Sequence, residues 1–245
     1  MQLSGKVALV TGGGRGIGKA IALALSDAGA DIGLLARTKQ QVAAVASAVE
    51  ASGRQACALE CDVADAKQVE SSVTAVFESL GRVDIVVNNA GGGAERSAVG
   101  DDDPTVWMSV IQANLVGTYL VSRAALPYLR NGGGGAIINV GSGMGHEARP
   151  NNSSYNAAKA GVWMLTRCLA LELWKDNITV NELIPGPVYT ELTEAIFEAG
   201  QPHPAIPSEW VKDPEDVVPL ALFLACQGPK GPTGQSFSLA RRPVV

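Results

Sequence analysis

The chain has 245 residues, a net charge of -5, and 47% hydrophobic against 18% charged residues, enough apolar material for one extended core and too apolar for a disordered chain. The acidic balance excludes an electrostatic footprint for nucleic acid or an anionic membrane surface, and the adjacent Arg241 and Arg242 read as a solvated tail. No apolar run reaches membrane-spanning length, Arg15 and Lys19 interrupt the N-terminal one, and a soluble, cytoplasmic protein is expected.

In chain order, KVALVTG reads as a buried strand that passes through TGGGRGIG, residues 11 to 18, into the helical pattern KAIALALSDAGA. Between a strand and a helix, Gly12, Gly16 and Gly18, with Ile17 among them, let the backbone approach a pyrophosphate at a helix N-terminus. The plainer alternative is a glycine-rich turn without a ligand. The next strand, ADIGLLAR, ends in Ala36 and Arg37, where dinucleotide folds place an acid for the ribose hydroxyls. Arg37 together with Arg15 offers two guanidiniums for a 2′-phosphate, which favours NADP(H) over NAD(H); the alternative leaves both arginines solvated.

Thr38 and Gln41 predict a capping box for the helix KQQVAAVASAVEA, and Gly53 marks its end. QACALE, VDIVVNNAG, GAIINVGS, NITVNELIPG and SFSL continue the strands, with Asp84 expected to order the start of VDIVV. Strands alternating with helices predict an α/β fold of one domain, 1–245, with a doubly wound parallel sheet covered on both faces. Helices over 112–131 and 151–175 carry apolar residues on more than one face, including Leu115, Tyr119, Trp163, Met164 and Trp174, which predicts an intersubunit bundle. Residues 189–213 carry a short helical pattern and then a proline-rich stretch too long for an ordinary connection, so they are expected to form a lid, the alternative being a plain surface loop. Asp213, Pro214 and Glu215 supply a cap, a first-turn proline and an acidic first turn to the last helix. Cys57, Cys61, Cys168 and Cys226 lie in apolar contexts with no CxxC pair, which predicts buried thiols and no metal site.

SSYNAAKAG, residues 153 to 161, sets Tyr155 and Lys159 one helical turn apart on one face. A phenol titrates near ~10, and an adjacent ammonium favours its charged form, so the pair predicts a tyrosine of lowered pKa that gives and takes a proton. With TGGGRGIG, CDV at 61 to 63, NNAG at 88 to 91, Asn114, GS at 141 and 142, YNAAK at 155 to 159 and PGPVYT at 185 to 190, the chain resembles the classical short-chain dehydrogenase/reductase family over nearly its whole length.

That resemblance implies a Rossmann fold with a seven-stranded sheet and a homotetramer, a dimer being second. It implies that Tyr155 is the general acid or base, that Ser142 orients the substrate oxygen, that Lys159 binds the nicotinamide ribose, and that Asn114 holds a water linking Lys159 to solvent. Asp62 and Val63 would meet the adenine, and Asn88, Asn89, Ala90 and Gly91 the adenosine side. Pro185 and Gly186 would form the turn before Val188 and Thr190, which would hold the carboxamide. The overall pattern is most like the 3-oxoacyl-acyl-carrier-protein reductases, so a carbonyl substrate, leading with a 3-oxoacyl thioester, is expected.

Gly92, Gly93, Met144, Pro187, Ile196, Phe197 and Trp210 would give the mouth an uncharged lining. Arg130 is the candidate docking residue for an acidic carrier protein, while Leu171 and the tail SLARRPVV depart from that group. His146, at the mouth, and His203, in the lid, are taken as bystanders. The other readings are an alcohol or sugar dehydrogenase running oxidatively with NAD, and a regulator that binds NADPH without turnover.

Overall fold

Seven short runs, most of them aliphatic, pair into one sheet in the computed structural model, which describes residues 2–93 and 96–241. The strands are β1 (Val7–Thr11), β2 (Asp31–Ala36), β3 (Ala56–Glu60), β4 (Ile85–Asn88), β5 (Gly135–Val140) and β6 (Ile178–Ile184). A separate antiparallel ribbon of β7 (Pro202–His203) and β8 (Ile206–Trp210) comes before the last, β9 (Ser236–Ser238). The sheet is parallel throughout, in the order β3-β2-β1-β4-β5-β6-β9. The helices are α1 (Gly16–Asp27), α2 (Lys39–Ala51), α3 (Ala66–Leu80), α4 (Pro104–Ile111), α5 (Gly117–Asn131), α6 (Ser153–Leu173) and α7 (Val218–Ala225).

Each central strand is apolar on both sides because both sides are covered. Ala8, Val10, Ile32, Leu34, Ile85 and Val87 pack under α1, α2 and α7 through Ile21, Leu25, Val42, Val45 and Leu224. Their neighbours Val7, Leu9, Leu35, Val86, Ile137 and Val180 pack under α3, α5 and α6 through Val73, Val76, Val121, Leu129, Leu169 and Leu173. The sheet grows from β1 to β2 and β3 on one side, then resumes at β4 on the other. That reversal opens a crevice beyond the C-terminal ends of β1 and β4, where open α/β sheets bind ligands.

Asp84 orders the start of the sheet as expected: its side chain accepts from the Val7 amide at 3.0 Å and from Lys6 and Arg82 at 2.9 and 2.6 Å. Burial alone would raise this carboxyl, but Arg82, Lys6 and the Val7 amide outweigh it and hold it below the usual range.

Several expectations are corrected. Thr38 makes no side-chain cap on α2, and Gln41 packs against Gly14, where an added Cβ would collide with it. The segment before β7 forms successive turns over 191–196 and no helix, and the proline-rich stretch forms the ribbon. The ends of this segment are clasped: the Tyr189 amide donates to Lys212 O at 2.8 Å and the Lys212 amide to Pro187 O at 3.0 Å. α4 runs into α5 through a π turn, Gln112–Val116. Cys61 is buried, Cys57 and Cys226 are half-buried and Cys168 is exposed, all of them free thiols. Among the described residues no His, Cys, Asp and Glu side chains group to hold a metal ion, and no helix is long and apolar enough to cross a membrane. Arg242 and the rest of the tail lie outside the described residues.

Candidate active site

The glycine turn and the segment after β4 form one framework. Thr11, ending β1, accepts through Oγ1 from the amides of Asn89 and Ala90, each at 3.0 Å. Asn89 donates through Nδ2 to the carbonyls of Thr11 and Gly12 at 3.0 and 3.3 Å. Gly12 adopts φ +62°, and a Cβ on Gly18 would collide with the Gly12 carbonyl and the Asn89 amide. Arg15, at the N-cap of α1, provides no side-chain cap, so the first amides of the helix and its partial positive charge face the crevice. This bare cradle fits a pyrophosphate. Thr11 was not singled out by sequence, since its partners are backbone amides far along the chain.

The remaining candidate cofactor residues surround the cradle. Ile17 packs against the core beneath it. Arg37 is exposed just after β2, whereas Arg15 is ion-paired with Glu191 at 2.6 Å. The Thr190 methyl lies beside Gly16, so PGPVYT reaches across to the glycine turn. Asp62 shapes the turn after β3 by accepting from the Ala64 amide at 3.0 Å, and Val63 is buried against Gly117. Beyond β6 and Pro185, Gly186 takes φ +71° beside Lys212 Nζ, and Val188 is buried. Gly91 abuts the Asn114 amide.

Ser142, Tyr155 and Lys159 converge beyond the end of β5. Ser142 begins a 3-10 turn, accepts from the Met144 amide at 3.2 Å, and has its hydroxyl near enough to the Tyr155 phenol to act on its pKa. Lys159 is buried; its Nζ donates to Val140 O at 2.8 Å and stands 5.6 Å from the centre of the Tyr155 ring. Asn114 is buried in the π turn, an arrangement frequent at functional sites. It donates to Val110 O and Gly92 O at 2.8 Å each and accepts from the Gly92 amide at 3.1 Å.

The electrostatics differ from expectation. Burial raises the Tyr155 phenol, with the Ser142 hydroxyl opposing it. Burial also lowers Lys159 to about 8, with the charge of Glu182 pulling the other way. The strain of enclosing a charge therefore falls on the lysine, and the phenol stays protonated at neutral pH.

His146 does not line the mouth: it points inward, 3.0 Å through Nε2 from Glu182, and both side chains are buried. Glu182 is the residue that sequence reading passed over, although a lone acid inside ITVNELI was a visible signal. His203 stacks near Phe197 with ring centres 5.1 Å apart. Leu192 sits over Gly92, while Ile196 and Trp210 are exposed. Arg130 lies near the end of α5, just before β5 begins, and is paired with Asp176 at 2.7 Å.

Comparison with known proteins agrees with this geometry. The short chain dehydrogenase family profile matches residues 6–201. A short-chain dehydrogenase/reductase of Armillaria gallica is 36% identical, covering 96% of this chain and 94% of its own. A 3-oxoacyl-[acyl-carrier-protein] reductase of Staphylococcus aureus is 35% identical over 94% and 95%. The structure of carveol dehydrogenase from Mycobacterium avium in complex with NAD superposes with TM-score 0.88 at 31% identity, covering 97% of each chain. Its fold, its motifs and these relatives place the chain in the short-chain dehydrogenase/reductase family of oxidoreductases, with 3-oxoacyl-acyl-carrier-protein reductases among its relatives.

Proposed function

We propose that the protein is a cytoplasmic NADPH-dependent reductase of a carbonyl group, with a 3-oxoacyl thioester as the leading substrate. The observation that carries this reading is the convergence of Ser142 and Tyr155 beyond β5, with Lys159 one turn further along α6. The cradle of Gly12, Gly16 and Gly18 accommodates a dinucleotide, which when bound supplies hydride to the carbonyl carbon. Ser142 and Tyr155 then donate to the carbonyl oxygen as negative charge grows on it, and Tyr155, protonated at neutral pH, delivers its proton. Lys159 holds the ribose and offsets the phenolate left behind. Asn114 fixes the loop at Gly92 from within the π turn and holds the water that links Lys159 to solvent. Asp62, Val63 and the segment from Asn89 to Gly91 flank the adenosine, and Pro185, Gly186, Val188 and Thr190 the carboxamide. Residues 189–213 close over the mouth as a lid, in keeping with Leu192 over Gly92. The exposed apolar face of α6 makes contacts in a homotetramer.

Following NADPH oxidation at neutral pH with acetoacetyl-CoA tests the reading. Turnover is expected, and Tyr155→Phe is expected to lose it while still binding cofactor; retained turnover in the variant refutes the acid assignment. A second reading, an NAD-dependent alcohol dehydrogenase, is favoured by the engagement of Arg15 with Glu191, which leaves Arg37 alone for a 2′-phosphate. Arg37→Asp separates the two: it is expected to weaken NADPH more than NADH by about tenfold or more in Kd, on the scale of one charge-assisted contact. An unchanged preference points to NAD.

A further inference from the structure

A row of polar residues crosses the sheet just below the crevice. Asn88, Asn139, Glu182 and Ser236 are paired in register on β4, β5, β6 and β9, on the face under α5 and α6. Asn88 donates to Ser122 and Asn139, and Asn139 donates to Thr166. Amides and hydroxyls thus satisfy most of this row without a charge. Glu182 is different: it is fully buried, and its neighbours Asn181 and Leu183 face the other side of the strand.

Its two oxygens have different surroundings. Oε2 accepts from Ser236 Oγ at 2.5 Å and lies 3.0 Å from His146 Nε2. Oε1 makes no hydrogen bond among the described residues and is pressed against Gly141, where any side chain would collide with it. Gly141 shares a peptide with Val140, the carbonyl of which accepts from Lys159 Nζ. Carboxylate and ammonium therefore both lie at the Val140–Gly141 link, in a buried interior where an incompletely satisfied charge acts strongly.

We propose that Glu182 is a positioning residue for Lys159: clamped by His146 and Ser236 beneath Gly141, its carboxylate supplies the buried negative charge that keeps the lysine ammonium protonated in the cleft. The inference rests on the placement of Lys159 in the cofactor cleft. The groups against Glu182 are His146 from the turn after β5, Asn139 from β5, Gly141 just beyond it and Ser236 from β9, while Lys159 reaches Val140 O from α6 with Tyr155 beside it. Further out, Trp163 lies 4.9 Å from the His146 ring and carries the Arg167 guanidinium at 5.3 Å. Burial drives Lys159 toward its neutral form, and Glu182 is the charge that opposes this.

The test is a direct titration of the Lys159 side chain by carbon NMR of its ε-methylene, assigned by its loss in Lys159→Met, in the native protein and in Glu182→Gln. Glutamine preserves the shape and an acceptor for Ser236. The midpoint is expected to fall by about one pH unit or more in the variant, the scale of losing one near opposite charge. An unmoved or raised midpoint overturns the proposal. Should Glu182→Gln fail to fold, Glu182→Met with His146→Leu replaces the buried pair by apolar groups, an exchange folded proteins often tolerate. The same fall is expected there. The titration reads the lysine without turnover, so it stands even if no carbonyl substrate is reduced. With turnover, the alkaline fall of kcat/KM should begin at lower pH in the variant, a change that loosened packing alone would not produce.

Discussion

Around Gly141 a single hydrogen atom separates a working arrangement from a collision. The Glu182 carboxylate occupies the space a Cβ would need, and it lies on a strand held on both sides by β5 and β9. Gly141→Ala is therefore expected to cost about 1–3 kcal/mol, the usual range for overpacking a closed interior, read as a fall in the urea midpoint at unchanged slope. The Tyr155 and Lys159 pair was legible because helical spacing alone puts two side chains on one face, and helix α6 does place them so. The sign of their electrostatics was not legible. A spacing argument sees an ammonium beside a phenol, whereas the burial that decides which group bears the cost comes from residues remote in sequence. Thr11 escaped for a related reason: a threonine at the end of a strand is unremarkable until the amides of Asn89 and Ala90 come to rest on it.

At the scale of elements, strands were easier to read than connections. The central strands β1, β2, β4, β5 and β6 are short runs, mostly aliphatic, buried on both faces, so composition by itself announces them, whereas β9, Ser-Phe-Ser, is mostly exposed. The turns over 191–196 show the converse, since a helical pattern this short cannot repay the cost of nucleation without a packed face. The π turn at Asn114 carries no compositional mark, because it inserts a residue into an otherwise regular helix. Asp84 joins the starts of three strands: its amide donates to Val7 O, its own carbonyl accepts from Ala136, and its carboxylate takes the Val7 amide. Asp84→Asn is expected to lose about 1–3 kcal/mol, since a buried carboxylate gives up charge-assisted hydrogen bonds to the half-exposed Lys6 and Arg82. The folded carboxyl titrates below its unfolded value near ~3.9, so its contribution is present above that pH and is lost as pH falls through the folded value. Urea midpoints measured from pH 7 down to pH 3 should accordingly fall more steeply for the native protein than for the variant.

For the whole molecule, the outer face of α6 and the turn after it is the surface a lone chain leaves unexplained. Met164, Leu171 and Trp174 are 49, 78 and 58% exposed, on a helix whose inner face is already packed, and contiguous apolar surface of this kind marks protein contacts. Leu171→Glu is expected to reduce the assembly mass by size exclusion with light scattering, to a dimer or below. A mass equal to that of the native protein would remove this face from the proposed interface. The parallel order of the strands, by contrast, leaves little freedom, since it sets the crevice at β1 and β4 and gathers residues from 11 to 190 around it.

The register row running from Asn88 to Ser236 also bears on how the molecule is assembled in time. The hydroxyl that steadies Glu182 arrives on a strand of three residues, more than fifty positions later in the chain. A ribosome would thus release the glycine turn, the tyrosine helix and the lysine well before the floor beneath them could be finished. Completion of the floor under the site therefore waits on β9, and chains interrupted short of it would hold the glycine turn, Tyr155 and Lys159 yet lack the last strand of the sheet.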